Sequence, residues 1–101
     1  MTGPSNYARK IDRNHPEIVR ALRAIGVEVA DLSRAGHGVP DLCCFWRGKT
    51  TWIEIKNPDV PKNDQRLKDA QVRFHDAALR QGVAIHIVFT VPQALALFGA
   101  V

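Results

Sequence analysis

Asp41, Glu54 and Lys56 are the residues of this chain with the most chemistry in their arrangement. Leu42 to Trp46 and Thr50 to Ile55 are rich in aromatic, β-branched and Cys residues. They flank Arg47-Gly48, a two-residue hairpin turn in which Gly supplies a positive φ. A turn at that point sets Trp46 against Lys49 and carries the ladder back until Asp41 stands opposite Glu54. Cross-strand partners have Cβ atoms roughly 4.5–5.5 Å apart, so like charges there repel. At about 4 Å and an effective dielectric near 20 the repulsion is on the order of 4 kcal/mol. A divalent cation between the carboxylates turns that cost into affinity, because hard ions such as Mg²⁺ take carboxylate, water and phosphate oxygens. Lys56, two residues beyond Glu54, points to the same face because strand side chains alternate. The alternative is a solvated hairpin carrying an incidental Glu/Lys pair.

The elements that must position these residues are legible from periodicity. Asn14 is a candidate N-cap, Pro16 fits a first helical turn, and Ile18, Leu22 and Ile25 recur at helical spacing until Gly26 stops the helix. Val27 to Leu32 is a short strand. Ser33 to Val39 is a loop whose Gly36 and Gly38 either make a turn or let phosphate or metal approach the backbone. Asn57 to Arg66 is a polar loop broken by Pro58 and Pro61. A second helix follows from Leu67 to Gln81-Gly82, then Val83 to Phe89, the most apolar strand and the expected centre of the sheet, then a short helix from Gln93 to Phe98 opened by Pro92. The order is αβββαβα in one three-layer α/β domain. Residues 1–13 form a basic arm with Arg9, Lys10 and Arg13, and the domain occupies residues 14–101.

Composition narrows the function classes. The chain has 101 residues, 46% hydrophobic and 24% charged, which is ordinary for one soluble globular domain. A formal charge of +4 favours a polyanionic partner. No segment is long and apolar enough to span a membrane, and Met1-Thr2-Gly3-Pro4 lacks a signal peptide's apolar core, so a cytoplasmic location is expected. Cys43 and Cys44 are adjacent and point to opposite faces of a strand, which disfavours a disulfide between them. With the histidines scattered at 15, 37, 75 and 86, no thiolate or histidine zinc spacing is present. His37 precedes the site on its loop, and His86 sits in an apolar strand as a core or face residue.

Pro40-Asp41, twelve residues, then Glu54-Ile55-Lys56 resembles the PD-(D/E)xK nuclease signature. The wider pattern, with Glu17 in the first helix, Gly38-x-Pro40-Asp41-Leu42 and Leu67-x-x-x-Gln71 opening the second, is similar to the virus-type replication-repair nuclease (VRR-NUC) domain over about residues 15 to 90. The resemblance implies a restriction-endonuclease-like core, a mixed central sheet flanked by helices, and a Mg²⁺- or Mn²⁺-dependent DNA endonuclease. On that basis Asp41, Glu54 and the main-chain carbonyl of Ile55 hold the metal, Lys56 positions or helps deprotonate the attacking water, and Glu17 and Gln71 complete the site. Lys62, Arg66, Lys68, Arg34 and His37 are candidates for phosphate contact. Similarity to junction resolvases implies a homodimer acting on branched DNA such as a Holliday junction, with apolar residues Leu95, Leu97 and Phe98 either at the interface or in the core. A catalytically idle nucleic-acid-binding module with the same fold is the alternative, and the complete acid and lysine set speaks against it.

Overall fold

The computed structural model describes residues 14–99; the basic arm expected over residues 1–13 lies outside them. The elements are α1 (Asn14–Ala24), β1 (Glu28–Asp31), β2 (Leu42–Trp46), β3 (Lys49–Ile55), α2 (Lys62–Gln65), α3 (Asp69–Arg80), β4 (Ile85–Val88) and α4 (Val91–Ala96). They form one sheet in the order β1-β2-β3-β4, antiparallel through the first three strands and parallel between β3 and β4. A parallel return needs a crossover, and α2 and α3 supply it.

The β2–β3 hairpin fixes the register of everything else. Arg47 (φ 51°) and Gly48 (φ 81°) both adopt the left-handed conformation, the pattern of a two-residue turn whose twist matches its strands. Trp46 then pairs with Lys49 and Leu42 with Ile53. Arg47 covers the Trp46 ring at 4.3 Å, and Trp46 meets Phe98 edge to face at 5.7 Å. The turn is thereby tied to the C-terminal helix.

Alternation divides the sheet into two unlike faces. Leu42, Cys44 and Ile53 are fully buried on one face, together with Ile18 and Leu22 of α1 and Ala94 of α4. This is the core, and α1 and α4 close it. Asp41, Cys43, Trp52, Glu54 and Lys56 belong to the opposite face, where α3 lies without burying any residue of its own completely. An apolar groove of about 290 Å³ runs between α3 and the sheet, lined by Trp52, Phe74, Ala77, Ala78, Val83 and Ile85. The face carrying the acidic pair is therefore the thinly covered one.

Three local expectations are corrected. The apolar strand expected at the centre is β4, shortened to Ile85–Val88 and placed at the sheet edge, with Ile87 43% exposed and His86 an exposed face residue. Its apolar character comes from contacts with the groove and the core on its two faces, not from strands on both sides. The polar loop after β3 contains the helical turn α2, begun after Pro61, whose ring cannot donate a helical hydrogen bond. Asn14 has a further role at the start of α1: its amide donates to the carbonyls of Lys56 and Phe89, both at 2.9 Å, pinning α1 to the ends of β3 and β4. The last helix begins at Val91, capped by Thr90, whose hydroxyl accepts from the Gln93 N–H at 3.2 Å. Phe98 and Ala94 are spent in the core, and Leu95 and Leu97 pack against it, so these side chains serve the chain's own interior.

Candidate active site

Asp41 lies immediately before β2, held there by the buried Pro40. Its Oδ2 accepts a hydrogen bond from the Ile55 N–H at 2.8 Å. That bond carries the hairpin register one step past the last ladder pair and brings Asp41 beside Glu54, as the turn geometry requires. Glu54 is 2% exposed. Burial, and then the neighbouring Asp41 charge, push the Glu54 carboxyl up to about 8. Burial likewise raises Asp41, against the opposing pull of the Ile55 N–H, the charge of nearby His15, and Lys56. Two carboxyl groups this close resist sharing two negative charges.

Gln71 connects the acids to the lysine. Its Nε2 donates to Glu54 Oε2 at 2.7 Å, while its Oε1 accepts from Lys56 Nζ at 3.0 Å and from the Lys68 N–H at 2.9 Å. Two donors on one side of the amide and a carboxylate on the other fix its orientation, since a flipped amide would oppose like groups at all three contacts. The same side chain thus closes the first turn of α3 and holds the site. Gly38 makes this approach possible. With φ 80°, it lies so close to α3 that a Cβ on it would fall 2.2 Å from the Ala70 carbonyl oxygen. The close approach expected at Gly38 is to a helix backbone, which sets the distance between the loop that delivers Asp41 and the helix that delivers Gln71.

The remaining predicted residues lie outside this hydrogen-bond network, apart from the Lys68 backbone N–H. Glu17 is exposed in the first turn of α1, with no hydrogen bond or ion pair tying it to the acids. The start of its helix is nonetheless at the site, through Asn14 on the Lys56 carbonyl. Lys62, Arg66, Lys68, Arg34 and His37 are all exposed. The Arg66 Nε–H donates to the Asn63 carbonyl at 3.4 Å. His37 (φ 58°) borders a recess of about 320 Å³ with Ala70, Arg73 and Phe74.

Two histidines not singled out beforehand are close to the acids. His15 Nε2 lies 2.9 Å from Asp31 Oδ2, and Asp31 also accepts from the Ser33 N–H and hydroxyl; burial pushes its pKa up, but the Ser33 bonds and His15 together outweigh it and lower the pKa. His75 Nε2 lies 4.0 Å from Glu54 Oε1, and both atoms are buried without a hydrogen-bond partner. Burial and then the Lys56 charge lower the His75 pKa. The signal for His75 was in the sequence: it follows Gln71 by four residues and so shares its helix face.

A buried carboxylate pair with an ammonium and an amide converging on it stands on the hairpin of a mixed sheet flanked by helices. The chain is similar to a solved structure described as a VRR_NUC domain, with TM-score 0.65 and 25% identity over 89% of this chain and 95% of that one. The fold is that of a VRR-NUC nuclease domain, and the match supports a nuclease-family domain here. No protein-family model and no curated protein matches the sequence.

The residues present fit a divalent cation. Glu54 Oε1 is a buried oxygen with no hydrogen-bond donor, on a carboxylate beside that of Asp41, and carboxylate oxygens are what a hard ion prefers. No group of three His, Cys, Asp or Glu side chains arranged for a metal is found among the described residues. The ligands would be two carboxylates and a carbonyl, with water and phosphate oxygens completing the shell.

Proposed function

We propose that the protein is a metal-dependent DNA endonuclease, with Asp41, Glu54 and the Ile55 carbonyl as ligands for Mg²⁺ or Mn²⁺. The observation that carries this reading is the buried Asp41–Glu54 pair, whose Glu54 Oε1 lacks any donor while its partner oxygen is held by Gln71. A bound cation would polarise the scissile phosphate and lower the pKa of its water. Lys56, on the same face, orients the attacking water and stabilises negative charge developing on the phosphate. Gln71 keeps Lys56 and Glu54 in a fixed relation, so neither must reorganise when substrate arrives. Glu17 contributes through water at the rim, and exposed Lys62, Arg66, Lys68, Arg34 and His37 attract the phosphate backbone.

The substrate is branched DNA, and the working unit is a two-fold dimer. One small domain supplies one site, whereas a four-way junction presents two symmetric strands, which a two-fold pair of sites matches. With Phe98 and Ala94 occupied in the core, the dimer contact falls to the β4 edge, where Val83 and Ile87 are exposed and the strand's outer backbone groups are open to pairing. Incubation with linear, flap and four-way DNA, with and without Mg²⁺ or Mn²⁺, tests the proposal. Metal-dependent paired nicks in the four-way substrate are expected. Binding without cleavage under every condition would indicate an idle nucleic-acid-binding module instead.

A further inference from the structure

The interior of the site sets the oxygen offered to the cation against a buried ring nitrogen that the proposed scheme does not use. Glu54 Oε1 and His75 Nε2 are both inaccessible, both lack partners, and face each other at 4.0 Å. Leaving either one unsatisfied costs about 1–3 kcal/mol. At 4.0 Å they are too far apart to hydrogen-bond directly. A water donating one hydrogen to each acceptor, with legs of about 2.8 Å and a near-tetrahedral angle, spans roughly 4.4 Å, close to this spacing. Such a water keeps its lone pairs free. Gln71, one helical turn earlier, already fixes Glu54 Oε2 at 2.7 Å, so α3 offers one polar group to each oxygen of the same carboxylate.

We propose that His75 is a positioning residue, which holds a single water against Glu54 Oε1 and thereby orients that carboxylate and one water of the cation's hydration shell. This inference rests on the proposal that Glu54 is a metal ligand. It adds that the imidazole acts from outside the ligand shell. Small hard ions keep several waters when bound, and protein groups that hold such ligands and waters typically contribute 10–100-fold to metal affinity.

Calorimetric titration of Mn²⁺ into the full chain tests this, alongside metal-free thermal unfolding of each variant. His75→Ala is expected to weaken Mn²⁺ binding about 10–100-fold while metal-free unfolding stays close to wild type. His75→Gln, which returns a hydrogen-bonding group, recovers part of the affinity and remains informative if the alanine variant folds poorly. Electron–nuclear spectroscopy on Mn²⁺ bound to protein labelled with ¹⁵N-histidine is expected to give the weak coupling of a nitrogen one water away. Strong coupling from a directly ligated imidazole would overturn the proposal. Unchanged affinity in both variants would overturn it while leaving the metal site standing. Failure of the wild-type protein to bind Mn²⁺ would overturn both.

Discussion

At the scale of single residues, the site stores an electrostatic conflict that a bound cation would resolve. Glu54 is raised to about 8 in the folded protein, so between an unfolded-state value of about 4.5 and that value the native state holds a proton the unfolded chain has released. The Glu54 contribution is therefore fully present below about pH 4.5 and is lost as pH rises toward 8. Metal-free protein should lose thermal stability through this window, and Mn²⁺ should restore more of it at pH 8 than at pH 5. Glu54→Gln removes the conflict: it should unfold at a higher temperature than wild type at pH 8 without metal, and gain nothing from Mn²⁺. A wild-type melting profile unaffected by Mn²⁺ at both pH values would contradict this. Lys56→Ala should behave oppositely to the acids, keeping or tightening Mn²⁺ while losing turnover. Loss of Mn²⁺ binding in a calorimetric titration would make Lys56 structural instead.

At the scale of elements, the hairpin was legible because its information is local. A turn of Arg47-Gly48 fixes the register, and the register fixes that Asp41 meets Glu54; nothing distant is required. The position of β4 was not legible, because an apolar run reads alike in a central strand and in an edge strand with a helix packed over it. His75 was passed over for a related reason: sequence spacing showed no zinc pattern, while the meaning of its place lies in where α3 crosses the sheet. That crossing depends on Gly38. Gly38→Ala would force both a left-handed φ and a collision with the Ala70 carbonyl, and should destabilise by more than about 1 kcal/mol. It should also lower turnover, because the loop that moves carries Asp41 three residues later. Wild-type stability and turnover in Gly38→Ala would show that the loop and α3 are not in this contact.

At the scale of the whole molecule, the fold sets a dense core on one side of the sheet and leaves the other side for chemistry. Among the described residues no helix is long and apolar enough to cross a membrane. The apolar groove under α3 adjoins the β4 edge, since Val83 and Ile85 line it, and Val83 and Ile87 are exposed there. Dimerisation through this region predicts about twice the monomer mass by light scattering, and Ile87→Lys should return the protein to a monomer. A wild-type chain that stays monomeric at high concentration, with and without DNA, would rule out the paired-site arrangement and leave the nuclease reading intact.

The proposed chemistry depends on one pair of carboxylates, so its most direct test compares strand cleavage by the wild-type protein with Asp41→Ala and Glu54→Ala in Mg²⁺ or Mn²⁺. DNA retention is measured in the same samples. Both substitutions should abolish cleavage and metal binding together while DNA binding persists, because exposed basic residues supply most of the phosphate attraction. Wild-type cleavage by both variants would contradict the assignment of Asp41 and Glu54 as the metal-holding pair.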